Sequence, residues 1–155
     1  MKVFYCKSWF QAQKRPTEVW TEEKARKCHL EGTLYTALIG SIESPTCVLQ
    51  IKNDFVAVSF LDNHLRDYVV YVFSESSPET LFLERATHRE YVGDTDQIDH
   101  ASIYYFKQDG SLTITRQFFN PHRSEKAVNS TDVAANFSPK PEFGHYEDFI
   151  RLERY

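Results

Sequence analysis

The side chains best suited to chemistry lie between His88 and His100. His88, Arg89 and Glu90 follow Thr87 in a run of strand character, so His88 and Glu90 would share a face with Arg89 opposite. Such a pair could move protons if it lined a pocket. Cross-strand ion pairing is the commoner use of these residues on an exposed sheet. Next comes the densest acidic patch, Gly93-Asp94-Thr95-Asp96-Gln97-Ile98-Asp99-His100. Asp94 and Asp96 resemble the start of a calcium loop, but the sixth position is Asp99 rather than Gly, and no Glu closes the loop at the twelfth. Two readings stand for this loop: a solvated connection, or an anionic contact surface that steers a cationic partner.

Other reactive types are scattered. His29, His64, His88, His100, His122 and His145 show no His-x-His or His-Glu-x-x-His spacing, so nothing in the sequence predicts a zinc site. The five glycines stand apart, without a dinucleotide fingerprint, a phosphate loop or a nucleophile elbow. Cys6, Cys28 and Cys47 form neither an even set nor a Cys-x-x-Cys pair and read as reduced thiols, with Cys47 a small core residue. These patterns predict a protein that is not an enzyme and uses no cofactor.

The elements that must position these residues are mostly strands. From Thr46 to Phe119 the chain alternates short runs rich in Val, Ile, Phe, Tyr and Thr with turn residues. The runs are Cys47 to Lys52, Phe55 to Leu61, Tyr68 to Phe73, Leu81 to Val92, Ser102 to Lys107 and Leu112 to Phe119. Asp109-Gly110 is the strongest turn signal and predicts a hairpin from Tyr104 to Phe119 through a type I′ turn, both central residues having positive φ. In its second arm Leu112, Ile114 and Phe118 alternate with polar residues, with Arg116 interrupting the apolar set. Phe55 to Leu61 and Tyr68 to Phe73 are apolar on both faces, which predicts mid-sheet strands with a layer against each side, helix and tail, or a closed barrel whose outside is partly covered.

Before this region, Val3 to Gln13 reads as a first strand and Glu18 to Lys27 as a polar helical turn or loop. Leu30 to Ile42 is the expected helix, because Leu34, Leu38 and Ile42 recur at i, i+4 and i+8; Thr33, Thr36 and Ile39 would also suit a strand. After it, Asn120 to Tyr155 holds Pro121, Pro139 and Pro141 together with several large apolar residues. That composition predicts a tail wrapped on the sheet, ending in a short helix from His145 on which Tyr146, Phe149 and Ile150 share a face. The expectation is therefore an α+β fold: an antiparallel meander of about six to seven strands, open or partly closed into a barrel, one helix near residues 30–43, and a wrapping C-terminal tail. The 155 residues fit one domain, 1–155.

Charge is unevenly spread. Met1 to Lys27 carries seven Lys and Arg against three Glu, and the remainder carries 11 against 19. An acidic body argues against nucleic-acid binding, which depends on neutralising phosphates, and suits a basic protein partner. The plain alternative is that these charges solvate the surface. Lys7 interrupts any apolar segment long enough for a signal peptide, and no run approaches a membrane span, so a soluble cytoplasmic protein is expected.

Phe55 to Phe119, with Ala86-Thr87-His88-Arg89-Glu90-Tyr91, then Tyr104-Tyr105-Phe106 before Asp109-Gly110, and the closing Pro141-Glu142-Phe143-Gly144-His145-Tyr146, resembles small bacterial proteins, some of them immunity proteins of polymorphic toxin systems. The resemblance implies a cytoplasmic protein that binds and blocks a cognate toxin without catalysis of its own, and the acidic body of this chain suits a basic one. On the residues themselves, the contact surface would draw on Asp94, Asp96, Asp99, Tyr104 and Asp109, with acidic loops setting encounter rate and aromatics supplying desolvated contact. The alternative is a lipocalin-like carrier holding a small apolar ligand in a barrel lumen.

Overall fold

From Tyr35 to Ser130 each strand pairs antiparallel with the next, as short β-rich runs joined by tight turns should. The computed structural model describes residues 1–154. In chain order the strands are β1 (Val3–Cys6), β2 (Trp9–Phe10), β3 (Arg15–Pro16) and β4 (Val19–Trp20), followed by helix α1 (Glu22–Glu31). Then come β5 (Tyr35–Ile39), β6 (Cys47–Lys52), β7 (Phe55–Leu61), β8 (Asp67–Ser77), β9 (Thr80–Tyr91), β10 (Ile98–Phe106), β11 (Ser111–Phe119) and β12 (His122–Ser130). A 3-10 turn at Ala134–Asn136 leads into β13 (Phe137–Pro139). The main sheet runs β4-β1-β5-β6-β7-β8-β9-β10-β11-β12, and β13 lies beside β9 at Thr80–Phe82, beyond the stretch that pairs with β10. Strands β2 and β3 form a separate small hairpin.

One row of residues defines the inner face. Trp20, Tyr5, Ala37, Leu49, Val58, Tyr71, Ala86, Tyr104, Ile114 and Ala127 stand in register across all ten strands. Most of this face is covered by α1 and by residues 133–154, which bring Ala25, Val133, Tyr146 and Phe149 into the main core. A smaller core of Cys6, Leu38, Val48 and Leu61 lies on the outer face, packed by Trp9 and Leu65. Burial pushes the thiols of Cys6 and Cys47 up to about 11, as expected for reduced core residues.

The helix expected at residues 30–43 is not there. Helix α1 lies earlier: the Thr21 side chain accepts from the Lys24 N–H (3.2 Å), Glu22 and Glu23 occupy the first turn, and Gly32 ends it at φ 72°. Residues Tyr35–Ile39 are instead β5, with all five buried. A strand buried on both faces is a continuous apolar run, which contains i, i+4 spacings by default. Leu34, the first residue of the expected helical stripe, is exposed.

The strand count is also higher than the six to seven expected, and the sheet stays open, with β4 at one edge and β12 at the other. Residues 122–130, assigned to the tail by sequence, form β12, and the wrapping tail begins after them. Tyr146 and Phe149 are buried as expected, but through a single turn, with the Phe149 N–H donating to the Tyr146 carbonyl (2.9 Å), not a helix. The first strand stops at Cys6. The Tyr104–Phe119 hairpin forms, yet only Gly110 of its turn has positive φ (91°), so the turn is not type I′; the Gly110 N–H donates to the Lys107 carbonyl at 3.0 Å.

Candidate partner-binding surface

The residues picked out by sequence do not form one patch. Asp94 and Asp96 sit on the β9–β10 loop and Asp99 is the second residue of β10, whereas Asp109 lies in the turn at its other end, about 30 Å away along a nine-residue strand. Tyr104 is half-buried on the inner face between them, edge-on to His88 with ring centroids 5.7 Å apart.

The acidic loop is already engaged within the chain. Arg66 Nη1 donates to the carbonyls of Gly93 (2.7 Å) and Thr95 (2.8 Å), its Nε donates to Asp62 (2.8 Å), and its guanidinium lies 4.7 Å from the Tyr91 ring centre. Lys14 Nζ donates to Asp96 and to the His64 carbonyl, both at 2.8 Å, while His64 meets Asp94 at 3.3 Å and His100 meets Asp99 at 2.8 Å. Burial pushes the Asp62 carboxyl up, but hydrogen bonds from Arg66 and from the His64 backbone outweigh it and hold the group below its usual range. A depressed folded-state pKa gives stability that is present above the unfolded-state value, about 3.9, and is lost as pH falls through the folded one. Acid titration followed by loop amide exchange is therefore expected to show the Arg66 anchor loosening below about pH 4. Asp62→Asn is expected to remove that acid-dependent step.

An open cleft of about 420 Å³ adjoins this network, lined by Gln11, Ala12, Arg66, Asp67, Arg89, Tyr91, Asp96 and Ile98. Its charges answer each other: Asp67 accepts from Arg89 (2.9 Å) and from the Tyr91 hydroxyl (2.9 Å). Burial and the Asp67 charge push the Tyr91 phenol far up, so it stays a neutral donor. Chemically this is a cross-strand brace. His88 and Glu90 do share the inner face, and burial pushes the His88 imidazole down, which keeps it neutral beside Tyr71 and Tyr104. Among the described residues no three His, Cys, Asp or Glu side chains converge as a metal site. No helix among the described residues is long and apolar enough to cross a membrane.

What the fold does bring together is the far end of the inner face. Along the register row, burial is complete from Ala37 to Ala86, partial at Tyr104 and Ile114, and gone at Ala127. Two further rows run beside it, His88–Ser102–Arg116–Glu125 and Glu90–His100–Phe118–Arg123. Strands β9 to β12 thus carry the core-facing surface past the tail as a wing. A groove of about 220 Å³ lies there among Ile114, Arg116, Glu125, Lys126 and Ala127. Phe118 is half-buried under the Arg123 guanidinium (4.4 Å), with His100 stacked at 5.9 Å. Sequence reading missed Ile114, Arg116 and Phe118 as a surface. Its one available signal was Arg116 itself, a charge inside an alternating apolar set.

In comparisons with known proteins, the chain matches no family model, no curated protein and no solved structure.

Proposed function

We propose that this chain is a cytoplasmic immunity-type binding protein that neutralises a cognate bacterial toxin by direct contact, using the open inner face of the β9–β12 wing. The observation that carries this reading is the row Ala86–Tyr104–Ile114–Ala127, where a core-type surface passes into solvent while flanked by Arg116 and Phe118. Aromatic and Arg side chains on such a face are the residue types that anchor protein interfaces, because they desolvate large areas for few rotatable bonds. The Asp94, Asp96 and Asp99 loop stands at one end of that face and adds to encounter rate more than to affinity. The carrier reading has less support, since Tyr146 and Phe149 occupy the space over the inner face where a ligand would lie.

The test is co-expression with the product of the gene immediately upstream, scored for relief of any toxicity it shows, followed by binding measurements on purified proteins. Wild type is expected to relieve toxicity, and Tyr104→Ala with Phe118→Ala, checked for its fold by circular dichroism, is expected to weaken binding by on the order of 100-fold. Replacing Asp94, Asp96 and Asp99 by Asn is expected to slow association and flatten its salt dependence, with dissociation unchanged. Full affinity in the Tyr104/Phe118 variant would sink the assignment of this face.

A further inference from the structure

Strand β12 leaves a long backbone edge open. It pairs with β11 over nine consecutive residues without a register shift, contains no proline, and all nine residues are exposed. The other edge of the sheet is the two-residue β4. Long flat edges are normally shortened, bulged or covered, because their unpaired amides and carbonyls template further strands. Which groups point outward follows from two bonds: the Lys107 N–H donates to Ser111 and the Thr131 N–H donates to Gly110, each at 2.9 Å. Antiparallel alternation then directs the backbone of Arg123, Glu125, Ala127 and Asn129 toward β11, and that of His122, Ser124, Lys126 and Val128 away from the sheet. The Ser130 N–H also points outward but is taken by Asn129 Oδ1 at 2.8 Å.

We infer that this edge pairs with a second copy of itself, antiparallel about a two-fold axis through Ser124. Such an axis keeps like faces together, so every register can be judged by the side chains it sets opposite one another. Centring on Arg123, Glu125 or Lys126 places that charge against its own copy, which destabilises a strand pair. Centring on Ala127 or Val128 requires the Ser130 amide, which is already bonded. Centring on Ser124 sets Arg123 against Glu125 of the other copy, twice. Because Arg123 and Glu125 already meet at 3.2 Å within one chain, the dimer closes a square of four alternating charges. Arg123 is held in place for this by Phe118 beneath it. About six backbone hydrogen bonds join the edges and merge the two sheets into one. This pairing does not depend on toxin binding.

So short a contact belongs with small transient interfaces, and the dimer is expected to be half-formed at on the order of 100 μM. Sedimentation equilibrium of the full chain across that range is expected to show monomer passing to dimer. Arg123→Glu alone and Glu125→Arg alone are expected to weaken the dimer by at least ~10-fold, and the double exchange to restore it. In a Cys28→Ser background, Ser124→Cys is expected to give a disulfide-linked dimer under mild oxidation and Lys126→Cys to give none. Circular dichroism verifies the fold of each variant, whose altered strand is wholly exposed. A chain that stays monomeric, a dimer indifferent to the charge exchanges, or linkage through position 126 instead of 124 overturns the inference.

Discussion

Tyr146→Ala is expected to remove about 3–5 kcal/mol of unfolding free energy, the usual range for truncating a large core aromatic, from a total of roughly 5–15 kcal/mol. Tyr146 is fully buried, its hydroxyl 3.0 Å from that of Tyr35 and 3.4 Å from that of Tyr5, and Tyr35 in turn lies 2.9 Å from His29 Nδ1. Truncation would open a cavity and take the Tyr5 hydroxyl's partner away, whereas Tyr35 keeps His29; an unsatisfied buried hydroxyl costs about 1–3 kcal/mol. Tyr146→Phe separates the terms: packing is kept, and a loss of about 1–2 kcal/mol is expected. Burial, then the neighbouring Tyr35, push the Tyr146 phenol well up, and burial does the same to Tyr5 and Tyr35. A raised folded-state pKa gives stability that is whole below the unfolded value, about 10, and is lost as pH rises toward the folded one. Urea titrations at pH 7 and above 10 check both claims, and a Tyr146→Ala protein as stable as wild type would show that the tail does not secure the core. Phe143, stacked on Tyr5 at 5.1 Å beneath Arg26, and Phe149, edge-on to Phe73 at 5.0 Å, belong to the same latch.

Arg66→Met is expected to cost about 2–3 kcal/mol and to free the β9–β10 loop. Its side chain is only 12% exposed and makes three charge-assisted bonds, so removal takes the guanidinium from the carbonyls of Gly93 and Thr95 and leaves the Asp62 carboxylate with only the backbone N–H groups of residues 64 and 66. Native-state exchange reads the effect where it should fall, at the amides of Val92 and Thr95, which bond to Gln97 (2.8 Å) and Val92 (3.0 Å) within the loop. Unchanged protection at these amides would mean that the loop holds its own shape. The same variant bears on binding, since a loop that swings freely presents Asp94 and Asp96 less consistently to a partner.

Local chemistry explains why some of this architecture is legible in the residues. Cys47 to Lys52, Phe55 to Leu61 and Leu112 to Phe119 are strands because branched and aromatic residues are closed by Asn53-Asp54, Asp62-Asn63 and Asp109-Gly110, all within a few positions. Tyr35 to Ile39 misleads because its spacing fits two periods, and only burial on both faces chooses the strand. Helix α1 was readable at its ends, in Thr21, Glu22, Glu23 and Gly32, although just one of its side chains is fully buried.

The chain's own order of residues determined the antiparallel meander, the inward aromatic tail and the reduced cysteines, because each follows from neighbours in sequence or from the cost of leaving apolar area in water. Only tertiary structure decided that Arg66 and Lys14 engage the acidic loop, that Asp109 stands a strand's length from Asp99, and that the inner face outruns its cover at Tyr104. Those facts depend on contacts between residues tens of positions apart, whose register is fixed by pairing and burial across the whole sheet and is written in no single stretch.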